Sequence, residues 1–443
     1  MVDDDADGPS SDEDAAGGDP DGADIPAGDP DGADVPAADA ADAVPRSSYL
    51  LVVLGAVGYL LLMANWFVLA AFLEPIADGL GLSDTQSGAL VGAVPLTYVP
   101  ISLLSGLALD RIGARRGIAL AVLIFGVAQL LRSATVGFAG MLATTVLFAV
   151  GATGITFGLP KLVASIFPSR LLGTMSTVYI LGSYAGTAAA YSVGRAILGP
   201  ALGGWRPTFR ALGGAALAFL LVWVPVAVWH ARRHGTPYGG DEESGFSVAS
   251  LRADVANVFS HRVMRLLVVI GTVYLLLGHS LQGWLPTLAG SRGVSPEAAA
   301  TVATLFVVGQ AVGTIVVPPA SDRLNRRREA VVVCGLAAVV GVVALVFVGS
   351  AVTAAAAALV VGSGVGGVSP LVRAIPTEIE EIGPALTATA VSLVFAVGEL
   401  GGFFGPFLVG GLRDLTGSFV PGLALLAVGA LAMVVAGLRL PEI

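Results

Sequence analysis

One carboxylate in this chain stands where a carboxylate is costly. Glu399 lies in the middle of an apolar stretch, within Gly398-Glu-Leu-Gly401-Gly402-Phe-Phe-Gly405-Pro406. An acid at such a position is tolerated when it is protonated, paired or open to water, which leaves two readings: a group that takes up and releases a proton, or a structural acid hydrogen-bonded across the close-packed glycines. Few other polar side chains interrupt the apolar stretches. Lys161 follows Pro160, and Arg373 follows Pro370, each near the end of its stretch; His279 and Gln282 lie a turn apart just before Trp284; Tyr59 and Asn65 share the first stretch. If Lys161 and Arg373 face inward these groups suit the holding of an anion; the other reading is that both snorkel to the membrane interface. No Gly-x-x-x-x-Gly-Lys-Ser/Thr loop is present to bind ATP. The four histidines, His230, His234, His261 and His279, lack metal-ligand spacing, and the single cysteine, Cys334, cannot form an intrachain disulfide. The expectation is a protein that is not an enzyme and needs no metal or cofactor.

The elements that must position these residues are twelve apolar stretches, at about residues 49–73, 86–109, 117–135, 138–160, 173–194, 209–230, 264–286, 297–319, 330–349, 352–373, 385–411 and 418–438. A helix needs roughly 20 apolar residues to cross a ~30 Å hydrocarbon core, and each stretch is near or above that length. With 55% hydrophobic and 12% charged residues and a mean hydropathy of +0.84, the chain has the composition of a membrane protein. Its 59 glycines suit helices packed closely in lipid. Unbroken apolar runs exclude a transmembrane barrel, whose strands alternate. The predicted fold is all-α, with twelve transmembrane helices in two pseudo-symmetric six-helix bundles.

Charge divides the chain further. Residues 1–45 carry 15 of the 32 acidic side chains and none of the 23 basic ones, so the net −9 hides a positive body. This segment repeats Gly18-Asp-Pro-Asp-Gly-Ala-Asp-Ile-Pro-Ala27 as Gly28-Asp-Pro-Asp-Gly-Ala-Asp-Val-Pro-Ala37, a composition too polar to offset its ordering entropy. The expected organisation is a disordered acidic tail (1–48), a first bundle (49–230), a cytoplasmic linker (231–262) and a second bundle (263–443). Within the linker, Phe246, Val248, Leu251, Val255, Val258 and Phe259 recur at helical spacing and suggest a helix lying on the membrane surface. With the N-terminus inside, seventeen basic residues fall on the inner side and six on the outer, Arg132 among the latter, which places both termini in the cytoplasm. The halves are also related by an offset of 212 residues: Gly81-Leu82-Ser83 matches Gly293-Val294-Ser295, and Asp110-Arg111 matches Asp322-Arg323.

Gly106-Leu-Ala-Leu-Asp110-Arg111-Ile-Gly113-Ala-Arg115-Arg116 resembles the loop motif of the major facilitator superfamily, G-x-x-x-D-[RK]-x-G followed by basic residues. Asp322, Arg323 and the following arginines resemble its second copy without the glycines. The resemblance implies secondary transport by alternating access. It also implies charged latches, with Asp110 facing the start of helix 11 and Asp322 that of helix 5 when the protein opens outward. Helices 1, 4, 7 and 10 line the cavity in that family, which makes Lys161, Arg373, His279, Gln282, Asn65 and Tyr59 the substrate-binding candidates, with Glu399 for proton coupling. Trp284-Leu-Pro-Thr-Leu and Gly398-Glu-Leu-Gly-Gly are similar to the cyanate and nitrate/nitrite porter branches, although no arginine precedes Arg111 in the second stretch and Gly182-Ser-Tyr-Ala-Gly186 lacks asparagine. The expected cargo is a small or organic anion, and the coupling ion H+. The expected setting is a monomer in the plasma membrane without nucleic acid. The alternatives are a proton-driven drug or metabolite exporter and a non-transporting sensor or scaffold of the same fold.

Overall fold

Among the described residues twelve long helices succeed one another: α1 (Arg46–Ala71), α2 (Asp84–Ile112), α3 (Ala114–Arg132), α4 (Phe138–Ile166), α5 (Leu172–Ala189), α6 (Trp205–His234), α7 (Arg262–Ser291), α8 (Pro296–Leu324), α9 (Arg327–Val346), α10 (Ala351–Ala374), α11 (Gly383–Thr416) and α12 (Val420–Leu438). The computed structural model describes residues 44–235, 255–378 and 383–441. The acidic repeat lies outside the described residues, as do Phe246, Val248 and Leu251 of the expected surface helix; of its remaining positions, Val258 is buried and Phe259 exposed. Eleven described helices are long and apolar enough to cross a membrane. The remaining crossing is α5, expected as one helix over 173–194, which instead widens into a π-helix over Ala190–Leu198. No strand occurs among the described residues.

The internal repeat reaches the level of backbone geometry. Helices α2 and α8 are both 29 residues long, and their ends are offset by the same 212 positions. Ser83 and Ser295 each accept a hydrogen bond from a first-turn amide, from Gln86 N and Ala298 N, which satisfies one of the unpaired N–H groups at a helix start. At the far ends Gly113 has φ +81°, and its counterpart Asn325 has φ +51°. Only the positive φ is shared: Gly113 has ψ 148°, a conformation reserved for glycine, whereas Asn325 has ψ 49°, the left-handed helical region that asparagine enters at low cost.

Glycine sets how closely the helices approach. A Cβ on Gly182 or Gly186 of α5 would collide with the Ala56 or Leu60 carbonyl of α1. In the second half Gly309 and Gly313 of α8 interlock with Gly362 and Gly366 of α10 in the same backbone-to-backbone way. In lipid, association relies on such close packing, since water drives nothing between the helices. The two halves, α1–α6 and α7–α12, meet chiefly along α2 and α11: Gly88 lies on the Pro406 carbonyl, Gly92 on Phe403 and Gly410 on the Asp84 carbonyl. These contacts run from the Asp84 end of α2 to its middle. Towards the Asp110 end Leu103 and Leu104 are exposed, and a Cβ on Gly106 would meet open space. The halves are therefore closed together at the Asp84 end and parted at the Asp110 end.

Candidate functional site

Arg373, near the end of α10, is tethered at its base. Its Nη1 donates to the Ser369 carbonyl (2.7 Å) and to Ser369 Oγ (2.6 Å), and its guanidinium lies 4.4 Å above the Phe395 ring of α11. Tyr274 of α7 donates to the same Ser369 Oγ (3.1 Å). The Arg373 side chain remains exposed, since α10 ends where the halves part. Across the cleft, Tyr59 of α1 and Tyr179 of α5 hold their rings 6.2 Å apart, and Tyr184 of α5 shares a 2.7 Å hydrogen bond with Thr314 of α8. Tyr59, Tyr179 and Tyr184 are all within electrostatic reach of Arg373. With Tyr274, four tyrosines gather around one cation; Tyr98 of α2, whose hydroxyl shares a 2.9 Å hydrogen bond with Thr156, lies next to Tyr59. Phenols offer a ring face and a hydroxyl, and an arginine offers a planar fork to a carboxylate. Only Tyr59 and Arg373 of this group were legible as candidates.

Deeper between the halves lies Glu399. Its Oε2 is 3.7 Å from His279 Nε2, so α7 and α11 bring together two residues expected to act separately, one for substrate and one for protons. Gly398, Gly401, Gly402 and Gly405 make this possible, because their α-carbons face the backbone or side chains of α7 without intervening bulk. Trp66 of α1 stacks on the His279 ring (5.9 Å, 15°) and also lies 5.5 Å from Tyr98. Glu399 Oε2 and His279 Nδ1 are buried without a hydrogen-bond partner, an expensive arrangement in which an exchangeable proton has an obvious use.

Other expected candidates stand elsewhere. Asn65 turns away from the cleft and donates to the Leu61 (2.8 Å) and Leu212 (3.4 Å) carbonyls, while its own carbonyl accepts from Arg132 (3.4 Å). Arg132, expected at an outer helix end, is fully buried against Thr145, Gln129 and the Phe148 ring. Gln282 donates to Gln310 of α8 (2.8 Å), and its backbone carbonyl accepts from Tyr191 of α5 (2.6 Å), at the seam. Lys161, which continues α4 after Pro160, pairs with Asp110 of α2 at the parted end. Asp322 correspondingly pairs with Arg327, which also holds Glu378 (2.7 Å). Among the described residues, both motif aspartates thus have partners within their own half. Residues 379–382, before α11, lie outside the described residues. Arg115 donates to His230 Nδ1 (3.0 Å) and to the Gly235 carbonyl (2.6 Å), whereas Arg111, Gly113, Arg116 and Arg323 are exposed.

The closed end holds a clamp that sequence reading missed. The Asp414 carboxylate, at the end of α11, accepts from Asp84 N (2.9 Å), Thr85 N (2.7 Å) and Thr85 Oγ1 (2.5 Å), and so caps the start of α2 from the other half. Arg413 completes it by donating to Asp84 Oδ1 (2.7 Å) over the Phe419 ring. Asp414→Ala should weaken this end by about 1.5–3 kcal/mol, the worth of hydrogen bonds to a charged group, and move the population on the order of tenfold or more towards opening there. Spin labels at Gln86 and Thr416 would report the change, because the native Cys334 is buried. An unchanged distance distribution would remove the clamp as a determinant of conformation.

A family model described as Major Facilitator Superfamily matches residues 55–406 and 267–442. A protein of Agrobacterium vitis assigned to tartrate transport is 25% identical over 383 residues, covering 82% of this chain and 88% of its own. The 3-(3-hydroxyphenyl)propionate transporter of Escherichia coli K12 is 27% identical over 403 residues, covering 88% and 93%. Among solved structures, a D-xylose–proton symporter superposes with a TM-score of 0.70 at 15% identity, covering 89% and 98%.

Proposed function

The chain belongs to the Major Facilitator Superfamily and is a secondary transporter in a membrane, and from that premise we propose that it carries a small hydroxylated organic carboxylate in symport with a proton. The observation that carries this reading is Arg373, tethered by Ser369, backed by Phe395 and facing the tyrosines. The guanidinium would take the carboxylate by paired N–H donors, and the phenols would take its hydroxyls or ring. The relatives named for tartrate and 3-(3-hydroxyphenyl)propionate support the same class, since both compounds carry a carboxylate and at least one hydroxyl. Protonation of Glu399 would load the proton, so a monoanion such as 3-(3-hydroxyphenyl)propionate and one H+ cross without net charge, whereas dianionic tartrate and one H+ carry one negative charge.

In this reading the bundles at 49–230 and 263–443 rock about the central site. The positive-inside distribution makes the Asp110 end cytoplasmic, so the clamp at Asp84 closes the outer side and the conformation is inward-facing. Proteoliposome uptake tests the function. Labelled tartrate and 3-(3-hydroxyphenyl)propionate should enter saturably and compete with one another, while neutral xylose should neither enter nor compete. Uptake of xylose at a comparable rate, or failure of every carboxylate in such a panel, would overturn the assignment.

A further inference from the structure

Trp66 belongs to the first half of the protein, yet its ring rests on a group that belongs wholly to the second. His279 and Glu399 are carried by α7 and α11, which pack together through glycines and so move as one. What covers them comes from the other half. The Trp66 indole of α1 lies nearly parallel on the imidazole (5.9 Å, 15°). Pro95 of α2 closes on Gly402, where a Cβ would stand 3.0 Å from Pro95 Cβ, 2.8 Å from His279 Cδ2 and 3.1 Å from Glu399 Oε2. Trp66 itself is held on its other sides by Phe67 and by Tyr98, whose hydroxyl is bonded to Thr156, and it is only 9% exposed. Beneath this cover Glu399 Oε2 and His279 Nδ1 have no hydrogen-bond partner.

We propose that Trp66 is the seal of the proton path: it covers the Glu399–His279 pair while the Asp84 end is closed and withdraws with α1 when that end opens. Water then reaches the pair from one side at a time. A proton taken from water onto the Glu399 carboxylate at one face is released to water at the other, with His279 Nε2 beside it as the adjoining acceptor. The remaining ionisable groups facing Glu399 are Tyr98 from α2 and Arg373 from α10; from α1 the pair meets the indole. Trp66 acts here as a positioning residue. It holds the barrier in place and takes no proton itself. The inference rests on the proposed proton coupling, and its test separates the two.

Trp66→Ala, reconstituted in proteoliposomes, should keep substrate counterflow while the substrate-free proton leak after an external acid pulse rises on the order of tenfold, the scale of one lost aromatic contact. Accumulation driven by a pH gradient should fall with it, and Trp66→Phe, which keeps a stacking face, should restore both. Adding Glu399→Gln to Trp66→Ala should abolish the extra leak. A proton-tight Trp66→Ala variant with full gradient-driven accumulation overturns the seal and leaves coupling intact. A wild-type protein whose uptake ignores the pH gradient overturns the coupling instead. If Trp66→Ala does not reconstitute, Trp66→Leu gives the same reading: it fills space without a stacking face, and a tight, fully coupled variant overturns the seal.

Discussion

Arg373→Gln should leave a folded transporter that has lost most of its grip on carboxylates. Glutamine keeps hydrogen-bonding capacity but removes the charge and the fork, and truncating one partner of a desolvated, hydrogen-bonded ion pair costs about 2 kcal/mol or more, roughly thirtyfold in affinity. The loss should therefore appear in the concentration for half-maximal uptake of tartrate or 3-(3-hydroxyphenyl)propionate, with thermal stability little changed, because the tethers of Arg373 reach only Ser369, one turn away on the same helix. Arg373→Lys should recover charge without the planar fork or its fit over Phe395, and rescue only in part. Equal uptake by wild type and the Gln variant at subsaturating substrate would place the carboxylate elsewhere in the cleft.

Glu399→Gln should produce the second large effect, and a different one. Glutamine holds the shape of a protonated glutamate and cannot release a proton. Counterflow of substrate down its own gradient should survive, whereas accumulation against a gradient should vanish. One proton coupled across a two-unit pH difference supports about a hundredfold accumulation, since each unit is worth about 1.4 kcal/mol. The Gln variant should stop at equal concentrations on both sides. Full accumulation by that variant would make Glu399 a structural acid lodged among the glycines of α11.

The helices were legible because span length is a one-dimensional property. An apolar run of sufficient length has one stable solution in lipid, whatever its neighbours do. The repeat was legible for a related reason: caps and helix-ending residues of positive φ are local, so Ser83 and Ser295, or Gly113 and Asn325, answer to nearby backbone. The central site was legible only in part. Arg373, Tyr59 and Glu399 stood out as polar groups in apolar runs, but tyrosine is half apolar, and Tyr98, Tyr179, Tyr184 and Tyr274 did not stand out. The signal available was their distribution, mostly one to a helix and within the stretches. Asn65 and Arg132 misled because depth along a helix is readable from sequence and direction around it is not: one faced Leu212 instead of the cleft, and the other sank into its bundle with Thr145 and Gln129. The clamp was out of reach, since Asp84 and Asp414 lie 330 residues apart and belong to different halves.

The glycine contacts along α2 and α11 bear on how the molecule can move at all. Where Gly88, Gly92 and Gly410 rest against opposing backbone, one helix fits the other like a key cut to a single depth. Sliding by a residue would drive a side chain into a carbonyl, and tilting by a few degrees would forfeit the contact with nothing to replace it. Such a seam cannot yield by degrees. It engages fully or lets go, which favours two discrete postures of the halves over a continuum between them.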